Sequence, residues 1–76
     1  MTRSYCVELV TEMNKGNGIS TIYYFKHALK AYNVFISTIV KDQSKVYMYE
    51  VIDDEEKIKS FRLLDKRESE ENENNL

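Results

Sequence analysis

Hydrophobic and polar residues alternate in the first third of the chain, which is the period of a partly buried β-strand. The alternation runs from Tyr5 to Glu12, and the segment from Ile19 to Phe25 is rich in β-branched and aromatic residues that favour a second strand. Between them, Asn14 to Gly18 supplies residues that tolerate positive φ angles, as a tight reversal requires. The pattern predicts an antiparallel hairpin.

From Phe25 the apolar spacing changes to that of a helix. The stripe consists of Phe25, Ala28, Leu29, Tyr32, Phe35, Ile36, Ile39 and Val40. A competing interpretation ends the helix near Asn33 and makes Val34 to Val40 a strand, because β-branched residues dominate that segment. We favour one amphipathic helix over the whole stripe.

Alternation returns from Val46 to Ile52 and again from Lys57 to Leu63, on either side of a polar segment, and predicts a second hairpin. The expected fold is therefore a small α+β domain of ββαββ order. Two hairpins form one four-stranded antiparallel sheet, and a single amphipathic helix covers one face. The alternation does not decide which face the helix covers.

Charged residues are distributed unevenly between the body of the chain and its C-terminal residues. Residues 1–67 hold all eleven Lys and Arg against nine of the thirteen acids, a net charge of +2, whereas residues 68–76 carry four acids and no cation. From Asp65 onward the chain has too little apolar surface to offset the entropy of ordering. We therefore expect one domain over residues 1–67 and an acidic disordered tail over residues 68–76.

A body of this size buries only about 60% of its unfolded surface, so its stability is marginal. Self-association would bury more surface, and we therefore expect a homodimer. Cys6 and His27 are the sole residues of their types, so neither a disulfide nor a zinc cluster can form within the chain. No apolar run has the length of a signal peptide or a membrane span. We expect a soluble cytoplasmic protein without membrane contact, in the host cytoplasm if it is phage-encoded.

Catalysis by Cys6 or His27 would need a neighbouring group that orients and activates it, and no such grouping is visible in the sequence. Phosphate-binding loops and metal-ligand spacings are absent as well. We therefore expect no catalytic residue, no metal, no cofactor and no enzyme activity.

Four aromatic side chains form a candidate surface if they share the uncovered face of the sheet: Tyr24, Tyr47, Tyr49 and Phe61. Such a patch marks a binding surface, and a homodimer that buries it is the favoured use. The rings could also stack bases, but the sequence lacks the RNA-recognition-motif signature and the acidic tail would repel phosphates. In the alternative interpretation, the rings only wrap the edge of the sheet.

Consecutive carboxylates form the second candidate site: Asp53, Asp54, Glu55 and Glu56 at the predicted hairpin tip, with Glu68, Glu70, Glu71 and Glu73 in the tail. Alternate residues of an extended chain lie about 6 to 7 Å apart, a spacing comparable to that of successive phosphates. The cluster lacks the glycine of a calcium loop, and a solvated turn is its plainer interpretation.

These features favour a non-enzymatic macromolecular interaction protein with a basic protein partner. In its most specific form, the hypothesis is a small phage-type inhibitor or DNA mimic, whose acidic hairpin tip and tail occupy the nucleic-acid-binding surface of a host protein. The alternatives are a direct nucleic-acid-binding module that uses the sheet tyrosines and lysines, and a structural assembly subunit.

Overall fold

The computed structural model describes residues 2–14, 17–41, 43–54 and 59–68. Two antiparallel hairpins flank one helix. The elements are β1 (Thr2–Asn14), β2 (Asn17–Phe25), α1 (Ala28–Ser37), β3 (Ser44–Asp53) and β4 (Ser60–Glu68). The ββαββ order expected from the sequence is confirmed.

The four strands form one antiparallel sheet in the order β2-β1-β3-β4. β1 lies in the middle of the sheet, where Tyr5 pairs with Phe25 of β2 on one side and with Glu50 of β3 on the other. β1 and β3 are therefore the two central strands, and β2 and β4 form the edges.

The hydrophobic core lies between the helix and one face of the central strands. Val7 of β1 and Val46 of β3 are buried there, beneath Ala31 and Phe35 of α1. Met48 completes the buried cluster, and the partly buried residues packed against it are Tyr5, Leu9, Phe25, Val34 and Val40. The helix therefore covers the face of β1 that carries Tyr5, Val7 and Leu9.

The helix is shorter than the apolar stripe predicted. It begins at Ala28 and ends at Ser37, so Phe25 belongs to β2 and Ile39 and Val40 lie in the following connection. Thr38 is already extended, and its hydroxyl donates a hydrogen bond of 2.6 Å to the carbonyl of Val34. A side chain that competes for helix carbonyls, followed by two β-branched residues, accounts for the early end. The alternative strand from Val34 to Val40 is also wrong.

The buried side of the helix also differs from the predicted stripe. Ala31 and Phe35 are buried and Val34 is half-buried, whereas four members of the stripe within the helix are exposed: Ala28, Leu29, Tyr32 and Ile36. The stripe was too broad, and a helix of ten residues buries only the narrow sector that contacts the sheet. The remaining apolar side chains form an exposed flank of the helix.

β4 extends further than the alternation predicted. It continues to Glu68, through residues that were expected to be disordered. The register shifts between Met48 and Tyr49, and beyond this irregularity β4 still pairs with β3, up to Glu68 opposite Lys45. Strand pairing rather than apolar burial therefore orders Asp65 to Glu68.

Glu55, Glu56 and residues 69–76 lie outside the described residues, as do Lys15 and Gly16 of the first predicted reversal. In the part of the chain that the structure describes, no helix is long and apolar enough to cross a membrane.

Candidate interaction site on the open sheet face

The sheet face opposite the helix, which we call the open face, carries the predicted aromatic residues. The strand register places Cys6 between Tyr24 and Tyr49 on this face, and Phe61 beside Val51. Tyr47 lies two residues before Tyr49 and points to the same side. The four aromatic residues predicted from the sequence therefore share one face, and the helix does not cover them.

A shallow groove of about 290 Å³ lies at the centre of the open face. Its lining consists of Cys6, Glu8, Ile22, Tyr24, Tyr49 and Phe61. The rings of Tyr49 and Phe61 meet edge to face with their centroids 6.4 Å apart, while Tyr24 and Phe61 are more than half exposed. The groove thus has exposed aromatic walls, and the ring of Phe61 packs against that of Tyr49.

Cys6 forms the buried floor of the groove, with only 3% of its surface exposed. Burial raises the pKa of its thiol, and the nearby carboxylate of Glu8 raises it further. The thiol is therefore protonated at neutral pH and behaves as a small apolar group.

Glu8 places a carboxylate inside this otherwise apolar groove. It accepts a hydrogen bond of 2.6 Å from the hydroxyl of Ser20 and a longer one of 3.4 Å from that of Tyr49. Burial raises the pKa of Tyr49, and the charge and hydrogen bond of Glu8 contribute in the same direction. The phenol therefore stays protonated and remains a donor to Glu8.

Glu8 and Ile22 were not among the predicted site residues. The signal for Glu8 was available in the alternation, since Glu8 lies on the same side of β1 as Cys6. Its neighbours Ser20 and Tyr49 come from two other strands, however, and only the register of the sheet shows that they meet.

The three predicted acidic residues that the structure describes, Asp53, Asp54 and Glu68, do not lie together. Asp53 ends β3, and Asp54 follows it directly, at the end of the sheet where Ile52 pairs with Ser60. Glu68 lies at the opposite end, opposite Lys45. Seven residues of strand separate these two pairs, which corresponds to roughly 25 Å. Asp53 and Glu68 are therefore at opposite ends of the sheet.

Glu68 is engaged in ion pairs within the sheet. Its carboxylate lies 3.8 Å from the ammonium nitrogen of Lys45 and 3.6 Å from that of Lys66. All three side chains are about half exposed, so these pairs are weak. Of the other predicted partner-binding acids, Glu55, Glu56, Glu70, Glu71 and Glu73 lie outside the described residues.

Cys6 and His27 lie on different sides of the molecule. Cys6 belongs to the open face, whereas His27 caps the start of the helix on the covered side. Among the described residues, no group of three or more His, Cys, Asp and Glu side chains is placed to hold a metal ion. The groove therefore presents apolar, aromatic and anionic surface for binding.

No protein-family model, curated protein or solved structure is significantly similar to this chain.

Proposed function

We propose that this chain is a non-enzymatic protein-interaction domain whose groove receives a basic side chain of a protein partner. One observation carries the proposal: the carboxylate of Glu8 lies among the aromatic rings of an uncovered sheet face. Aromatic faces attract cations and a carboxylate pairs with them, so Arg and Lys match both features of the groove.

The size of the groove supports a side chain as its occupant. At about 290 Å³ it lies at the lower end of the range of small-molecule sites, and it is open to solvent. The apolar stem of an Arg or Lys would pack on Tyr24, Tyr49 and Phe61 while the charged end approaches Glu8. Both polar and apolar parts of the groove would then be used.

The acidic turn extends this surface beyond the groove. Asp53 lies on the open face two residues beyond Val51, which pairs with Phe61 at the groove wall. Charges at the margin of an interface mainly accelerate and orient association. A partner with further basic residues around the inserted side chain would meet this end of the sheet.

The more specific proposal is that the partner is a nucleic-acid-binding protein whose basic surface is occupied by the acidic turn and tail. The sequence supports it through Glu55 and Glu56 in the turn and Glu70, Glu71 and Glu73 in the tail. Because Asp53 and Glu68 are roughly 25 Å apart, a partner that contacts both needs an extended basic surface rather than one small pocket.

An arginine-rich peptide and its citrulline counterpart test the groove, since citrulline has nearly the same shape without the charge. We expect the arginine peptide to shift the backbone amide NMR signals of Cys6, Tyr24 and Tyr49, and the citrulline peptide to shift them at least tenfold less. Glu8→Gln should weaken binding of the arginine peptide about tenfold, because the anion is lost and the shape is kept.

Glu12→Gln is the matched control, since Glu12 lies on the same strand and the same face but does not line the groove. Equal weakening by the two substitutions, equal shifts with both peptides, or shifts confined to Asp53 and Asp54 would each contradict the proposed groove.

Direct binding of nucleic acid is the second candidate, favoured by exposed rings on a face that also carries Lys45 and Lys66. The carboxylate of Glu8 opposes it, since an anion in the groove repels phosphate. Titration of single-stranded oligothymidylate separates the two functions. If the groove stacks bases, Glu8→Gln should strengthen binding of the oligothymidylate. If the groove receives a cation, the same substitution should weaken binding of the arginine peptide.

We also propose that the chain is a homodimer, as its small body suggests. A dimer that buried Tyr24, Tyr49 and Phe61 would close the groove, and the chain would then serve as an assembly subunit. Peptide binding that weakens as the protein concentration rises would support that arrangement over an open groove.

A further inference from the structure

β2 is an unusually unprotected edge strand. It lies at one edge of the sheet, and its nine residues from Asn17 to Phe25 include no charged residue and no proline. Every residue except Phe25 is exposed, and Ile19, Tyr23 and Tyr24 are each more than half exposed. An edge of this kind offers unpaired backbone groups to another strand, and natural proteins usually block it.

The opposite edge strand, β4, has a register irregularity and charged residues, both of which β2 lacks. β4 carries an irregular register opposite Met48 and Tyr49, which twists an edge away from further pairing. It also carries five charged residues: Arg62, Asp65, Lys66, Arg67 and Glu68. The two edges of the sheet therefore differ in charge and in regularity, two features that govern strand pairing.

We infer that two copies of this chain pair antiparallel along β2, about a two-fold axis near Thr21 and Ile22, and form one continuous eight-stranded sheet. An antiparallel pairing about either residue sets even-numbered positions opposite even-numbered ones. Ile22 and Tyr24 therefore stay on the open face, and Ile19 and Tyr23 on the helix face, in both copies.

Charge at the two ends of β2 favours a second copy as the partner. Antiparallel pairing brings the Lys26 end of one strand towards the Gly18 end of the other, where Glu12 is the neighbour of Gly18 in β1. Each end of the interface thus places a cation of one copy about two strand spacings, roughly 10 Å, from an anion of the other. β2 itself carries no charge that would oppose a like charge of the second copy.

This dimer goes beyond the proposed function, because it leaves the groove open. Both grooves lie on one face and both helices on the other, with the two β1 strands about 14 Å apart across the sheet, three strand spacings. A partner with two basic side chains could then engage both grooves, which increases the effective affinity without a new contact.

Thr21→Lys tests the interface because it places a lysine at the centre of β2. In the dimer, the lysines of the two copies would lie directly opposite or next to each other and repel. Ser60→Lys is the matched control, because Ser60 is also an exposed polar residue on the helix face of an edge strand. Light scattering after size-exclusion chromatography should give a dimer mass for wild type and Ser60→Lys. For Thr21→Lys we expect a monomer mass and at least tenfold weaker dimerisation, with an unchanged circular dichroism spectrum.

Hydrogen exchange provides a readout without mutation. The amides of β2 should exchange more slowly at high than at low protein concentration, while those of β4 should not change. A wild-type monomer over the whole concentration range, a dimer that survives Thr21→Lys, or concentration-dependent protection in β4 alone would overturn the inference. None of these outcomes bears on whether the arginine peptide binds the groove.

Discussion

The guanidinium of Arg67 donates a hydrogen bond of 2.5 Å to the backbone carbonyl of Phe35, and its central carbon lies 5.9 Å from the centroid of the Phe35 ring. The same nitrogen, Nη1, is 2.8 Å from the carbonyl of Thr38. Arg67 thus satisfies carbonyls that the end of the helix leaves without partners, with a positive charge where the helix dipole is negative. The last strand therefore fixes the end of the helix to the sheet.

Arg67→Ala should lower the free energy of unfolding by about 1 to 3 kcal/mol, since charged hydrogen bonds at a half-buried site are lost. Urea unfolding followed by circular dichroism measures the change. Lys66→Ala is the control, because Lys66 is exposed on the other face of β4 and should cost less than about 0.5 kcal/mol. Equal losses for the two variants would show that Arg67 does not anchor the helix.

Glu50 is a buried carboxylate between two arginines. Its oxygens lie 3.0 Å from Nη2 of Arg62 and 3.3 Å from Nε of Arg3, and its side chain is 9% exposed. Glu50→Gln should lower the free energy of unfolding by about 1 to 3 kcal/mol, because two neighbouring cations lose the anion between them.

Glu68→Gln gives the comparison for Glu50, since the two lysines that flank Glu68 are also ion-paired but its side chain is 46% exposed. We expect it to cost at most about 0.5 kcal/mol in the same urea experiment. A loss for Glu68→Gln as large as that for Glu50→Gln would contradict the role that we assign to burial.

Stability should fall at alkaline pH because the folded pKa values of Cys6 and Tyr49 are both raised. The unfolded chain releases these protons first, so the stabilisation is complete below about pH 8.5 and declines as the pH rises through the ordinary values of Cys and then Tyr. Urea midpoints between pH 7 and 11 measure the decline. Cys6→Ala should flatten its first part and Tyr49→Phe its later part, whereas unchanged slopes in both variants would refute the linkage.

Gln43 adopts a positive φ of 65° in the connection that leads to β3. Its carbonyl accepts a hydrogen bond of 2.9 Å from the amide of Glu12, so this backbone conformation is tied to the sheet. Gln43→Val should lower the free energy of unfolding by about 1 to 2 kcal/mol, because a β-branched side chain crowds the left-handed region. Gln43→Gly should leave it unchanged or raise it by up to about 1 kcal/mol, and urea unfolding that ranks the two variants in reverse would exclude this explanation.

The alternation of the strands was enough to predict both hairpins and the order of the elements, because side chains of a strand alternate between faces whatever the strand pairs with. The ends of the elements were not predictable in this way. Ser37 and Thr38 divert helix carbonyls with their hydroxyls, and Arg67 supplies an anchor from a segment whose composition resembled a tail. The hydroxyl bonds of Ser37 and Thr38 are local, but apolar spacing alone does not show that they end the helix. The Arg67 contact is tertiary and leaves no signal in the local pattern.

The candidate site was predictable only in part, for a similar reason. Tyr24, Tyr49 and Phe61 were visible as aromatic residues at alternating positions, but their common face depends on which pairs of strands are neighbours. Glu8 looked like one acid among many until Ser20 and Tyr49 were placed around it by two different neighbouring strands. Asp53 and Glu68 belonged to one acidic group in composition, and the direction of β4 separates these two residues.

The separation of Arg67 from the helix along the chain also affects when this domain can fold. During synthesis the helix emerges from the ribosome well before β4. The hydrogen bond from Arg67 to the carbonyl of Phe35 cannot form until Arg67 has been translated, more than two dozen codons later. β1 likewise cannot complete its pairing until β3, its partner in the centre of the sheet, has been synthesised. Folding of this domain is thereby deferred until β3 and β4 have both been synthesised.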